Sequence, residues 1–484
     1  MGPLIVPPLT DVTTEVDAPP GTPVVDLNEH LVTRLSDPAR LRALAGVPGG
    51  RENGGGDAGE GAGGGLFAAA AAAILERGVF DRARLRAIGL ALRLAGDPAV
   101  HLSVDDLELA EGSTQSSRDV AAATARATVF DPEIETALAA TGGSPVHVLL
   151  DADQQLPAAF ALVAALGARR VTLCGRFVAT HGRALGRVPE LAGVTLDPWS
   201  PPRFVRPEWA PGGERLRWLD RPESPFPEDA WTGWLDATEV TGLPPDALAR
   251  CRALTVTATA VSSWEAVTGM CGATVDLRPA LAALAPGTPV AVELVVGAPG
   301  AGDDVPDATL DLLTGDTGPA LAGLRPFRMP RDARWHGPPA RPAPPDPAHD
   351  LARWVDLRCP PGTPPERIRA AVTGGLARLA GRVDLYPGRL AASALTGERG
   401  SGTGLGWDPS AQIVADPVGP DGHGPGTFAV NLRSGRAFRL HPRLVAPVTG
   451  LAAGEPAPLA GLADGARARV LDTLVRAGVL RGSS

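Results

Sequence analysis

The chain reads as an α/β protein that ends in a small winged helix, and two stretches predict this. Residues 146–150 form an apolar strand, 155–166 a helix closed by Gly167, and 170–174 a second apolar strand ending at Gly175. That order is a βαβ unit, whose two strands should be parallel and buried on both faces. Near the C-terminus Phe428, Val430 and Leu432 alternate, Arg433-Ser434-Gly435 turns the chain, and Phe438 and Leu440 alternate again. This is the pattern of a β-hairpin. Helices are expected at 443–451, 459–462 and 466–477, the last stopped by Gly478.

The remaining elements follow in chain order. Leu4 to Val6 predicts a strand closed by two prolines, and Val24-Val25 a second that leads into a helix over 29–35. Residues 51–65 are almost all Gly, Ala, Asp and Glu, too poor in apolar area to order themselves, and are expected to be a flexible insertion. A helix is expected over 66–75, and another over 81–95 with Asp81 as N-cap and Leu85, Ile88 and Leu92 on one face. Asp131-Pro132-Glu133 reads as an N-cap followed by proline in the first turn, with Ile134 and Leu138 sharing a face and Gly142 ending the helix. A helix over 182–191 and a strand over 194–196 complete this region. From 198 to 236 periodicity is lost among prolines and five tryptophans, Trp199, Trp209, Trp218, Trp231 and Trp234. These side chains either anchor that stretch onto a core or line a groove. Strands return at 254–260 and 290–296, with a helix near 277–284 between them. Six prolines in residues 338–347 mark a boundary, followed by a strand at 354–358 and a helix from 363 to about 379.

Composition narrows the chemistry. The 484 residues suffice for two to four compact domains. All 45 basic residues are arginine, which excludes a Schiff-base lysine, a P-loop lysine and a lysine general base. With a formal charge of −9 and no basic stripe, nucleic-acid binding is not expected. The longest apolar run is too short to span a bilayer and no export signal is legible, so a reduced, cytoplasmic protein without a membrane span is expected. Cys174, Cys251, Cys271 and Cys359 are scattered, the closest pair 20 residues apart, which fits neither a disulfide framework nor a zinc ribbon. None of the eight histidines pairs with another at helical spacing. Each is either a satisfied or surface histidine, or part of a metal site assembled only in three dimensions. Asp151 and Asp153, at the end of a buried strand, sit where open α/β sheets bind ligands and also where a helix needs an N-cap. No GxSxG elbow surrounds Ser262 and Ser263, so a hydrolase triad has no support.

Five stretches of residues carry a resemblance. Val24-Val25-Asp26-Leu27-Asn28, Phe130-Asp131-Pro132-Glu133-Ile134 and the βαβ from Val146 through Gly175-Arg176-Phe177-Val178 resemble the cobalamin-binding domain of radical SAM enzymes that mature ribosomally made peptides. Val295-Val296-Gly297-Ala298-Pro299-Gly300 is similar to the turn after a late strand of the partial (β/α) barrel of that family and Leu324-Arg325-Pro326-Phe327 to the strand after it, which implies residual cofactor binding by Gly297, Pro299 and Gly300. The resemblance implies a doubly wound N-terminal domain over 1–200, a partial barrel over 201–400 and a third domain over 401–484. The chain departs from the family at the cluster, which needs three thiolates within a few residues, whereas only Cys251 falls in the stretch between Trp199 and Val256. We expect a degenerate barrel without an iron–sulfur cluster and with no catalytic residues. The string Asp421-Gly422-His423-Gly424-Pro425-Gly426 matches a cobalt-ligand motif but lies in a Gly-rich loop before the hairpin rather than after a first strand.

The C-terminal region, through 430–440 and 474–480, resembles the peptide-recognition domain of pathways for ribosomally synthesised, modified peptides. In that family a leader peptide adds a strand to the small sheet against the last helix. The resemblance assigns Phe428, Val430, Leu432, Arg433, Arg436, Phe438 and Leu474 to peptide binding. The alternative is a winged helix that only packs on the rest of the chain. The expected function is a non-catalytic protein that binds a precursor peptide and assists a partner modifying enzyme. A cluster-independent enzyme using SAM, cobalamin or a metal, and a structural heterodimer subunit, are the other readings.

Overall fold

The computed structural model describes residues 2–46, 60–104, 106–220, 226–259, 282–285, 287–296, 320–326, 329–330, 341–342, 346–355, 357–358, 365–379, 405–416, 425–455 and 457–481. The chain divides into two compact units. One comprises Met1–Leu31, Asp97–His101 and Asp105–Gly397, the other Val32–Gly96, Leu102–Val104 and Glu398–Ser484.

The larger unit is built on two sheets. The strands of these two sheets are β1 (Leu4–Val6), β2 (Thr14–Val16), β3 (Val24–Asp26), β4 (Val146–Leu149), β5 (Val171–Cys174), β6 (Thr195–Asp197), β7 (Arg203–Val205), β8 (Leu216–Leu219), β9 (Trp231–Asp236), β10 (Cys251–Thr259), β11 (Val290–Val296) and β12 (Ala320–Pro326). The first sheet has the order β3-β1-β4-β5-β6 and every pairing in it is parallel. Counted within that sheet the order is 2-1-3-4-5, a doubly wound arrangement that reverses direction between β1 and β4. The predicted βαβ unit is present, with Val146 paired to Val171 and the Leu156–Leu166 helix between the strands.

The second sheet has the order β12-β11-β10-β9-β8-β7-β2. From β8 to β12 the strands are parallel and follow chain order, while β7 and β2 join antiparallel. One face carries Leu219, Trp231, Leu235, Leu254, Val256, Val292 and Leu294, with Ala371, Val372 and Leu376 of the Pro365–Leu379 helix packed against them. Residue 200, where the sequence suggests a boundary, lies within the larger unit. Strand β2, which lies between β1 and β3 in the chain, pairs with β7 in the other sheet, Thr14 opposite Val205, so the two sheets are interleaved.

The smaller unit is built on one antiparallel sheet, β13 (Ala411–Asp416), β14 (Gly426–Asn431) and β15 (Arg436–Arg439), in that order. One face packs Ala411, Ala429 and Leu440 with Val448 of the Pro442–Ala452 helix and Leu474 of the Asp464–Arg476 helix. The other face packs Val414, Phe428 and Val430 against Leu66 and Ala70 of the Glu60–Glu76 helix. This helix, read from sequence as part of the N-terminal domain, belongs with the C-terminal sheet. Its first turns also correct the expected insertion: residues 60–65 are helical, and 51–59 lie outside the described residues.

Local chemistry explains most boundaries and corrects several. Asp81 caps the Arg82–Arg93 helix through its side chain and the Arg84 amide at 2.9 Å, and Leu85, Ile88 and Leu92 are buried as expected. Asp131 is the first helical residue rather than the cap, and the buried face is Glu133, Ala137 and Thr141. Leu138 is 43 % exposed because Glu133 turns inward to meet His30 Nδ1 at 2.8 Å. The helix expected over 182–191 instead begins at Arg176, directly after Gly175, and ends at Leu185. Residues 459–462 form a turn, with Leu462 donating to the Leu459 carbonyl, rather than a helix. Among the described residues the stretch 198–236 holds three strands; Trp231 is fully buried with its indole donating to the Ala247 carbonyl at 2.8 Å.

Phe428 is 5 % exposed at the centre of the interface between the Glu60–Glu76 helix and the third sheet. Truncation there leaves a cavity that the flanking Leu66 and Val414 fill only in part, so Phe428→Ala should lower the stability of this unit by about 3 kcal/mol. Urea unfolding of the variant, followed by circular dichroism, measures it.

Candidate functional site

Three places in the fold merit description as sites. The first is the carboxyl end of the first sheet at its switch point, where ligands bind in doubly wound folds. Here the groups present bond to one another. Gln155, 1 % exposed, accepts from the Asp151 and Ala152 amides and donates to Thr10 Oγ1 at 2.6 Å. Asn28 Oδ1 in turn accepts from the Thr10 amide at 3.1 Å. Beside them Asp151, at the end of β4, accepts the Arg176 amide at 2.8 Å and pairs with the Arg203 guanidinium. Asp151 thus caps a helix, as one sequence reading had it, but the helix is the one after β5. Arg176 also pairs with Asp220 at the end of β8. Burial pushes the Asp151 carboxyl up, yet the Arg203 and Arg176 charges and the hydrogen bonds outweigh it and hold the group below the usual carboxylate range. Asp153 bonds Thr114 Oγ1 at 3.1 Å and Arg353 Nη1 at 2.9 Å.

The second place is the polar face of the second sheet. Thr232, Thr255, Thr257 and Glu293 are all buried there. Trp234 Nε1 donates to Thr257 Oγ1 at 2.8 Å, and that hydroxyl donates to Glu293 Oε2 at 3.1 Å. A buried carboxylate is thereby positioned on β11 by its neighbours on β9 and β10. Sequence alone did not single out Glu293, although it is the one charged residue in the predicted strand 290–296.

The third is the outer edge of β15. Among the described residues β15 pairs only with β14, with Ala429 opposite Phe438 and Asn431 opposite Arg436. The Leu440 amide donates to the Thr427 carbonyl at 2.8 Å. Bonded and non-bonded pairs alternate in an antiparallel ladder, so the amides of Phe438 and Arg436 also face β14, and those of Ala437 and Arg439 point away from the sheet. Phe438 is partly buried against the Leu474 side of the core, and exposed Arg436 donates to the Arg476 carbonyl at 3.2 Å.

The seven residues assigned to peptide binding fall into two groups. Phe428, Val430 and Leu432 face the Glu60–Glu76 helix, and Leu474 is 2 % exposed in the opposite core, so these four hold the unit together and are not at the edge. Arg433 bonds the fully buried Asp408 at 2.7 Å and secures the hairpin turn. Arg436 and Phe438 flank the open edge.

Neither cysteine among the described residues is placed as a cluster ligand would be. Cys251 opens β10 at its amino end, away from the strand ends where barrel sites form, and burial pushes its thiol up to about 12. Cys174 is likewise pushed up to about 12, by burial and then by the Asp151 and Asp197 charges. The switch point offers an amide, a hydroxyl and a second amide, all engaged within the chain, and no cobalt ligand. Gly297, Pro299, Gly300, His423, Cys271, Cys359, Ser262 and Ser263 lie outside the described residues. Among the described residues no group of three His, Cys, Asp or Glu side chains is arranged to hold a metal, and no helix is long and apolar enough to cross a membrane. Comparison with protein-family models, with curated proteins and with solved structures returns no match.

Because the native Asp151 carboxyl lies below its unfolded value of about 3.9, its contribution is complete above that pH and is lost as pH falls through the native value. Asp151→Asn keeps the shape but strands the Arg203 charge, whose side chain is 9 % exposed. The variant should lose about 3 kcal/mol at pH 7 and progressively less towards acid. Unfolding curves across that pH range check both the size and the sign.

Proposed function

We propose that the chain binds a precursor peptide by strand addition along β15 and assists a partner modifying enzyme in ribosomal peptide natural-product biosynthesis, with no chemistry of its own. The observation that carries this reading is the outward-facing backbone of Ala437 beside the half-buried ring of Phe438. An added strand takes its affinity from main-chain hydrogen bonds and its specificity from pockets for alternate side chains. The resemblance of residues 430–440 and 474–480 to peptide-recognition domains points the same way.

The test is a substitution that acts on the edge alone. Ala437→Pro removes a donor that faces away from β14, and proline is tolerated on an edge strand when its missing N–H would face outward. In titrations of the full chain with its precursor's leader peptide, this variant should bind at least about tenfold more weakly with an unchanged unfolding midpoint. Unchanged affinity would overturn strand addition.

A second reading, a cluster-independent peptide-modifying enzyme, is favoured by the buried Glu293 carboxylate, held by Thr257 on a polar sheet face. In that case the purified chain incubated with peptide and SAM changes the peptide's mass, and Glu293→Gln reduces the turnover about a hundredfold. Mass spectrometry reads the outcome, and an unmodified peptide removes this reading.

A further inference from the structure

The charge around β15 says more about its occupant than the backbone does. Residues 426–484 carry eight arginines and three acidic side chains, an excess of five positive charges in a chain whose formal charge is −9. Two of those arginines sit on the edge strand itself. Arg436 shares a face with Phe438, the face packed towards the Asp464–Arg476 helix, while Arg439 lies on the opposite face with Ala437. Both are exposed. Arg436 has a neutral carbonyl, that of Arg476, as its hydrogen-bond acceptor, so its charge is held beside the edge without being cancelled by that contact.

We infer that the occupant of the β15 edge is an acidic extended peptide in which two carboxylate side chains bracket an apolar one. The inference rests on the strand-addition reading above. Directly opposed side chains on paired strands attract when their charges are opposite and repel when they are alike. The partner positions opposite Arg436 and Arg439 are three apart, and the position opposite Phe438 lies between them. Read along an antiparallel peptide this gives acidic, apolar, any, acidic; along a parallel peptide it gives acidic, any, apolar, acidic. A second copy of this chain is disfavoured as the occupant, because its own β15 carries the same two arginines and no carboxylate to pair with them.

The test uses the full chain and a random-peptide display library, so that no precursor need be known. Enriched peptides should show the acidic–apolar–acidic spacing. The double variant Arg436→Glu with Arg439→Glu should bind them about tenfold more weakly, and raising salt to roughly 0.5 M should weaken the wild type. Should that variant fail to fold by circular dichroism, Arg436→Gln with Arg439→Gln takes its place. Enriched peptides without acidic residues, or with unchanged affinity for the double variant, overturn the acidic occupant; if Ala437→Pro still abolishes their binding, strand addition stands. Binding that survives Ala437→Pro overturns strand addition and this inference together, as does a library that yields no enrichment. A dimer of the wild type that Ala437→Pro dissociates in sedimentation identifies a second copy as the occupant and overturns the inference.

Discussion

At the end of β4 the larger unit buries a carboxylate where two guanidinium groups and a helix amide converge. Asp151 answers the Arg203 charge from β7, the Arg176 charge, and the amide that opens the Arg176–Leu185 helix. The first sheet is thereby joined to the second at the place where both would otherwise carry unpaired polar groups. Gly175 is part of the same constraint. Its φ of +116° is one that side chains rarely adopt, and a Cβ there would lie 2.7 Å from Asp151 Oδ1 and 2.6 Å from the Leu150 carbonyl. The strand end, the glycine and the two arginines are thus a single device.

What could be read from sequence was what depends on local periodicity. The βαβ unit and the hairpin each have enough consecutive alternating or apolar residues to declare themselves, and Val290–Val296 has the bounds its apolar run predicts. The strands at Arg203–Val205, Leu216–Leu219 and Trp231–Asp236 did not, because prolines interrupt the run and Arg217 and Trp234 occupy positions whose burial depends on partners far along the chain. Glu133 misled for a related reason. The buried Glu133 carboxyl meets the ring of His30, 103 residues away, and Leu138 on the other side of the helix faces solvent. The largest departure is the Glu60–Glu76 helix, whose alanines make no amphipathic stripe and whose partner sheet begins 335 residues after Glu76, at Ala411. Periodicity carries no information about such a distance.

The same limit shaped the reading of the third sheet. Alternation singled out Phe428, Val430 and Leu432 because alternation is a signal of burial, and burial is where the structure places them. A docking edge leaves a different mark: unpaired backbone, which has no sequence signature, and side chains that are polar or charged. On β15 that mark is Arg436-Ala437-Phe438-Arg439, with one apolar residue among exposed ones.

An open strand edge is a hazard, since it invites pairing with any extended chain, and native proteins blunt it with charge. Arg436 and Arg439 do this against copies of the same protein. A second β15 carries the same two arginines and no carboxylate, so no register of that pairing offers either guanidinium an opposite charge. For a strand bearing carboxylates the same geometry is attractive on both faces at once. Protection against self-association and selection of a partner are therefore one property of this edge, set by the sign and spacing of two side chains.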